Sequence, residues 1–218
     1  MGGTAILFYG NAAKYAMGAG ADPLGLGRWC WARYHGQGTL ILWVVSAYCP
    51  CELEQTTNGQ IKSKDKSVYA QHLKHFNDLN DDRCPREAFL LDFEAEFIQW
   101  LEMGDQIIVG GDFNHEILKD PIKSMFERHG LHNMIFYKHH PNTFPSSCGK
   151  ATINKWTVDG LWGTPGLVPI HCGYLPIGEF PGDHNALWFD VSYQAALGHH
   201  QLAPVMTPTK RCLQLNNS

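Results

Sequence analysis

The stretch of residues 39–47 (TLILWVVSA) constrains the fold more than any other part of the chain. Read as a strand, it places Leu40, Leu42, Val44 and Ser46 on one face and Ile41, Trp43, Val45 and Ala47 on the other. Both faces are mostly apolar. A strand of this kind is buried on both sides, so it belongs inside a sheet that is covered above and below. Such a sheet needs ample apolar cover. With 44% hydrophobic and only 17% charged residues in 218, the chain can supply it, and the composition argues against global disorder. The length fits one large domain or two small ones.

The neighbouring segments build on that strand. Residues 28–34 form a second β-rich run, and the Gly36-Gln37-Gly38 turn between the two predicts a hairpin. Residues 3–9 (GTAILFY) are an apolar run of strand length, and residues 10–27, rich in Gly, Ala and Pro, read as a loop. Residues 51–66 are polar, with Lys62, Lys64 and Lys66 in a solvated loop or one that steers phosphate. A short helix is expected over 67–78. Phe89, Phe93, Phe97 and Leu101 recur every four residues, with Leu90 and Ile98 alongside, Pro85 at the start and Gly104 at the end. That pattern predicts an amphipathic helix packed on the sheet. Residues 106–109 read as a short buried strand, 121–130 as a helix, 134–136 as a strand, 156–162 as a strand and 186–191 as the last strand. The domain is therefore expected over 1–192, with 193–218 a tail or linker. Strands and helices mix without strict alternation, which favours sheets flanked by helices over a doubly wound fold.

Bulk charge limits the partners. The net charge of −4 is not the footprint of a tight, non-specific nucleic-acid binder. A nuclease can still act through a local basic patch and a metal. The seven cysteines are an odd number without regular spacing, which suits reduced thiols in an intracellular protein. No apolar run approaches the roughly 20 residues that span a bilayer, and the start, Met1-Gly2-Gly3-Thr4, carries no basic leader. Neither a membrane partner nor secretion is expected.

Three segments carry groups suited to chemistry. The first is Gly110-Gly111-Asp112-Phe113-Asn114, directly after a strand. Its glycines allow a sharp turn and close approach to a ligand. Asp112 can orient a water or touch a hard cation, and Asn114 can donate to a phosphate oxygen. A turn that merely follows a strand is the plainer alternative. In the second, Trp156-Thr157-Val158-Asp159, an acid lies inside an apolar strand, costly unless paired. The third, Asp183-His184, stands just before the final apolar run and offers the partner. An Asp–His pair fixes the imidazole tautomer and raises its basicity.

In this order, Tyr48, GDFN, Thr143-Phe144, W-x-x-D and D-H, the chain resembles the endonuclease/exonuclease/phosphatase superfamily over about residues 3–191. That superfamily includes deoxyribonuclease I, abasic-site endonucleases, the endonuclease domains of non-LTR retrotransposons, and sphingomyelin and inositol phosphatases. The resemblance implies an α/β (α+β) fold: a two-sheet β-sandwich flanked by helices, in the four-layer deoxyribonuclease I-like arrangement. It implies that Tyr48 contacts the scissile phosphate and that Asp112 orients or deprotonates the attacking water. Asn114 then holds a phosphate oxygen, and Thr143 and Trp156 join it in substrate binding. Asp159 partners the catalytic His, Asp183 is a metal-site acid, and His184 stabilises the phosphorane-like transition state. The implied cofactor is Mg²⁺ or Mn²⁺, and DNA is the implied partner. The V-S-A-Y-C-P segment at 45–50, the Pro85-Arg86-Glu87 helix start and residues 211–217 give the chain a retroelement flavour, with a reverse transcriptase downstream.

The match also departs from the family. Two strands, one with an Asn and one with a metal-binding Glu in a Gln-Glu pair, precede the family's counterpart of residues 3–9. The chain is therefore expected to lack the first strands and the principal metal ligand, and to nick DNA weakly. Glu52, Glu54, Glu94 and Glu96 do not take that place. Gly182 stands where the family usually has Ser. Two other classes stay open. One is a non-catalytic relic or interaction domain of the same fold, beside a phosphatase of the same superfamily. The other is a zinc module from Cys49, Cys51, Cys84, His72 and His75, whose spacing matches no common structural zinc site.

Overall fold

The computed structural model describes residues 3–51, 67–139, 157–176, 178–179 and 184–199. Eight strands are described: β1 (Ala16–Ala21), β2 (Trp29–His35), β3 (Ile41–Tyr48), β4 (Gln106–Asp112), β5 (His132–Asn133), β6 (Asp159–Gly163), β7 (Pro169–Tyr174) and β8 (Leu187–Val191). Five α-helices accompany them: α1 (Val68–Asp78), α2 (Pro85–Glu102), α3 (Ile122–Glu127), α4 (Met134–His139) and α5 (Tyr193–Leu197). The strands form a six-stranded sheet in the order β1-β2-β3-β4-β6-β5 and a two-stranded sheet, β7-β8. The expected pair of sheets flanked by helices is present, with very unequal sheets.

β2 and β3 form the expected antiparallel hairpin, and β4 lies parallel to β3. A parallel pair needs a long crossover, and α1 and α2 lie on it. β3 is indeed buried on both sides. Ile41, Trp43, Val45 and Ala47 face a core with Phe89, Phe93, Phe97 and Trp100 of α2 and Ile122, Met125 and Phe126 of α3. Leu42 and Val44 face the second core, with Ile108, Leu161, Cys172, Leu187 and Phe189 and with Ala196 and Leu197 of α5. The aromatic rings of the first core interlock. Trp43 stacks on Trp100 at 4.4 Å between centroids, and Phe126 stacks on Trp162 at 4.7 Å. Each buried ring contributes about 1.5–3 kcal/mol by leaving water.

Helix ends follow local chemistry. The Ser67 hydroxyl accepts from the Ala70 N–H at 3.1 Å and starts α1. Pro85 suits the first turn of α2, and Gly104, at φ +80°, follows its end.

Several expectations fail, each for a physical reason. Residues 3–9 are not a strand. Leu7 and Tyr9 are 94% and 92% exposed. The edge strand is instead Ala16–Ala21, inside the expected loop. Its small side chains show no apolar alternation because Trp31 of β2 covers them: a Cβ at Gly20 would run into that indole. Residues 134–136 lie in a helix, because the Asn133 side-chain oxygen accepts from the Phe136 N–H at 2.9 Å and caps it. A three-residue apolar run does not distinguish strand from helix by period. β7, with Pro169 and Gly173 in it, was not expected at all. Nor was α5. The Leu197 carbonyl accepts from the Gln37 N–H at 2.7 Å, so residues 193–197 pack on the sheet and are no tail. The loop expected at 51–66 lies, after Cys51, outside the described residues. No described helix is long and apolar enough to cross a membrane.

Candidate active site

The pairing register builds the site. β3 and β4 end with Tyr48 opposite Asp112, and β4 and β6 pair Asp112 with Asp159. Three polar side chains thus stand in one row across three adjacent strands, on the face directed at the second sheet. Like charges directly opposite each other destabilise a sheet. Two carboxylates in this row call for a cation or strong donors beside them.

The donors come from two directions. His184 Nδ1 lies 2.8 Å from Asp159 Oδ2; the carboxylate accepts, so Nδ1 donates. That fixes the imidazole tautomer and assigns chemistry to Nε2. Asp159 itself is only 8% exposed, and its main-chain carbonyl accepts from the Tyr174 hydroxyl at 2.6 Å. Tyr174 lies on the unexpected strand β7 and had no signal in the sequence. On the other side, Asn114 donates its main-chain N–H to Asp112 Oδ1 at 2.9 Å and its side-chain amide to Asp112 Oδ2 at 3.2 Å. The same amide donates to the Cys49 carbonyl at 2.9 Å. Arg86 Nη1 closes this corner by donating to the carbonyls of Pro50 (3.2 Å) and Asn114 (3.0 Å).

The glycines do a different job from the one expected. Gly110 and Gly111 lie inside β4 and make no turn. Gly111 is required because a Cβ there would strike the Ala47 carbonyl oxygen of β3. The turn falls at Asn114, whose φ of +46° lies in the left-handed region that Asn tolerates better than most residues. Asn114 is therefore not extended alongside Asp112; its side chain folds back onto it.

One ligand atom each from Asp112, Asp159 and His184 lies within 4.8 Å of the others. Hard divalent cations take one or two carboxylates, with water and substrate oxygens completing the shell. Asp112 and Asp159 fit that need, and their mutual repulsion favours it. This is the one group of three or more such side chains found among the described residues, so Cys49, Cys51, Cys84, His72 and His75 form no zinc cluster. The Cys49 thiol is pushed up to about 12, chiefly by burial, and His72 donates to the Leu26 carbonyl at 3.1 Å. A cleft of about 510 Å³ opens on the row, lined by Tyr48, Asp112, Asp159, Asn185, Ser46 and Phe189 among others. Burial first, then the Asp112 charge, raises the Tyr48 phenol above 10.0, so it is a neutral donor at physiological pH. Thr143, Trp156 and Asp183 lie outside the described residues.

No protein-family model and no curated protein matches the chain. Solved structures do. An endonuclease/exonuclease/phosphatase from Beutenbergia cavernae matches at TM-score 0.51 and 10% identity, covering 81% of this chain and 44% of its own. The APE2 catalytic domain of Xenopus laevis matches at TM-score 0.47 and 16% identity, over 76% of this chain and 56% of that one. The human Nocturnin catalytic domain matches at 0.45 and 13%, over 75% and 53%. The chain thus spans about half the length of the structures it matches. With two unequal sheets, helices packed on the larger one and a polar row at the strand ends, the described chain has the endonuclease/exonuclease/phosphatase fold.

Proposed function

We propose that this chain carries the catalytic end of a divalent-metal-dependent phosphodiesterase acting on DNA, of the retroelement endonuclease kind. The observation that carries the reading is the row Tyr48–Asp112–Asp159, with His184 hydrogen-bonded to Asp159 at its end. In this reading Asp112, oriented by Asn114, accepts a proton from the attacking water. Asp159 holds His184 and stabilises its protonated form, so that Nε2–H donates to the phosphoryl oxygen where negative charge grows. Tyr48, kept protonated, donates to a second phosphate oxygen. Asn114 adds its amide, and Thr143 and Trp156 extend the substrate contacts as the resemblance implies. Asp112 and Asp159, with Asp183 by the same resemblance, are the residues that would hold Mg²⁺ or Mn²⁺. When bound, the ion supplies Lewis-acid charge to the phosphate. The retroelement reading brings a downstream reverse transcriptase as partner; it rests on the segments 45–50, 85–87 and 211–217.

The test is nicking of supercoiled plasmid by the full chain, with and without Mg²⁺, beside hydrolysis of p-nitrophenyl phosphate. Slow nicking that needs Mg²⁺ and falls at least about 100-fold in His184→Ala is the expected result. Hydrolysis of the monoester alone turns the reading to a phosphatase. Nicking unchanged in His184→Ala sinks it, as does no hydrolysis of either substrate together with no Mn²⁺-induced broadening of the His184 resonances.

A further inference from the structure

β3 ends at Tyr48, and the loop after β4 carries Asn114, whose side-chain amide donates across to the Cys49 carbonyl at 2.9 Å. The two strands pair only as far as Tyr48 and Asp112, and the next bond runs from the Cys49 N–H to the Asp112 carbonyl at 2.9 Å. Pro50 then has no N–H to give, and Asn114 turns away in the left-handed region. The carbonyls of Pro50 and Asn114 need donors, and one nitrogen serves both. Arg86 Nη1 spans them at 3.2 and 3.0 Å from a position 36 and 28 residues away in sequence. Its base is rigid. Arg86 sits in the first turn of α2, whose Phe89, Phe93 and Phe97 are fully buried against the sheet. Nearby, Arg28 pairs with Asp22 and Asp92, Arg83 with Asp81 and Asp92, and Arg128 with Glu94. Arg86 reaches two main-chain carbonyls.

We propose that Arg86 is a positioning residue, one that locks the two strand-end loops together and so sets the distance between Tyr48, Asp112 and Asn114. Its catalytic consequence rests on the phosphodiesterase reading; its structural action does not. The side chain acts through Asn114, whose main chain it holds and whose amide groups orient both oxygens of Asp112. Small displacements of such groups are costly to reaction, because binding and positioning share the same geometry.

The test compares Arg86→Met, which keeps the apolar stem without donors, and Arg86→Lys, which restores charged donors on a different reach. Two readouts are taken on the full chain: hydrogen exchange at the Cys49 and Asn114 amides, both of which donate to Asp112, and kcat and KM for Mg²⁺-dependent nicking. Arg86→Met should speed exchange at these two amides at least about tenfold while the amides of Phe93 and Phe97 stay protected. Its kcat should fall about 10- to 100-fold with KM changed less than about threefold, and Arg86→Lys should recover part of both. A folded Arg86→Met protein with exchange and kcat within about twofold of the parent overturns the proposal. If Arg86→Met does not fold, Arg86→Lys decides: faster exchange at the two amides supports the lock, and parent-like exchange overturns it. If the parent shows no nicking, faster exchange in Arg86→Met leaves the lock standing and removes the phosphodiesterase reading alone.

Discussion

Asp159 does two things at once: it lies opposite Asp112 in the sheet, and it accepts from His184 Nδ1. Asp159→Asn separates these duties. The isosteric amide keeps the shape and removes one negative charge, but it stabilises protonated His184 far less and can select the wrong tautomer. Turnover should fall about 10²- to 10⁴-fold while far-UV circular dichroism is unchanged, and imidazole ¹⁵N shifts should report the tautomer change directly. At this scale much was legible. Residue type and spacing point to Asp112, Asp159 and His184, and the family resemblance alone to Tyr48; the structure sets Tyr48, Asp112 and Asp159 in one row and bonds His184 to Asp159. Arg86 and Tyr174 carry no such signal. Their contacts reach main-chain carbonyls, and a carbonyl leaves no mark on the sequence.

Among the elements, β4 carries the most information per residue. Its first half is buried apolar backbone, and its second half is Gly110-Gly111-Asp112. A glycine pair in such a place reads as a turn. Only the approach of the Ala47 carbonyl shows that Gly111 is a packing requirement between strands. Gly111→Ala should therefore cost about 1–3 kcal/mol in urea unfolding, as overpacking does. It should also lower turnover by displacing Asp112, whereas Gly110→Ala, with only ordinary contact to Leu161 at 3.6 Å, should be milder. α2 was legible because its period is long and regular. β1 and β7 were not, because edge strands of small or mixed residues borrow their cover from neighbours that the local sequence does not contain.

For the molecule as a whole, two cores on opposite faces of one sheet must stay aligned. A chain of ion pairs ties the sheet to the helices on one of those faces: Asp22 and Arg28, just outside β1 and β2, connect through Asp92 of α2 to Arg83 and Asp81. Arg28 is 1% exposed, so Arg28→Met, which leaves Asp22 buried and unpaired, should destabilise the protein by about 3–5 kcal/mol. Burial pushes the Asp22 carboxyl up, but the hydrogen bonds and charge of Arg28 outweigh it, and the result lies below the ordinary 3.8. The unfolded chain therefore takes up this proton first as pH falls. The stabilisation is complete above 3.8 and is lost as pH drops through the lower folded value. Urea midpoints of the parent should fall steeply in that window, and those of Asp22→Asn, lower at neutral pH, should be flatter there.

The sequence alone determined what local pattern can encode. The two-faced strand β3, the hairpin, the four-residue period of α2 and the chemical character of the acids and the imidazole all follow from neighbours close in the chain. The tertiary structure alone decided what depends on distant neighbours. It set the register that puts Tyr48, Asp112 and Asp159 in one row, the left-handed turn at Asn114, the helix at 193–197 and the reach of Arg86. GGDFN places Asp112 in the row, but Gly111 fits the neighbouring strand and Asn114 makes the turn. The physical reason is the same in each case: periodicity records which side of an element is buried, and only packing records what buries it.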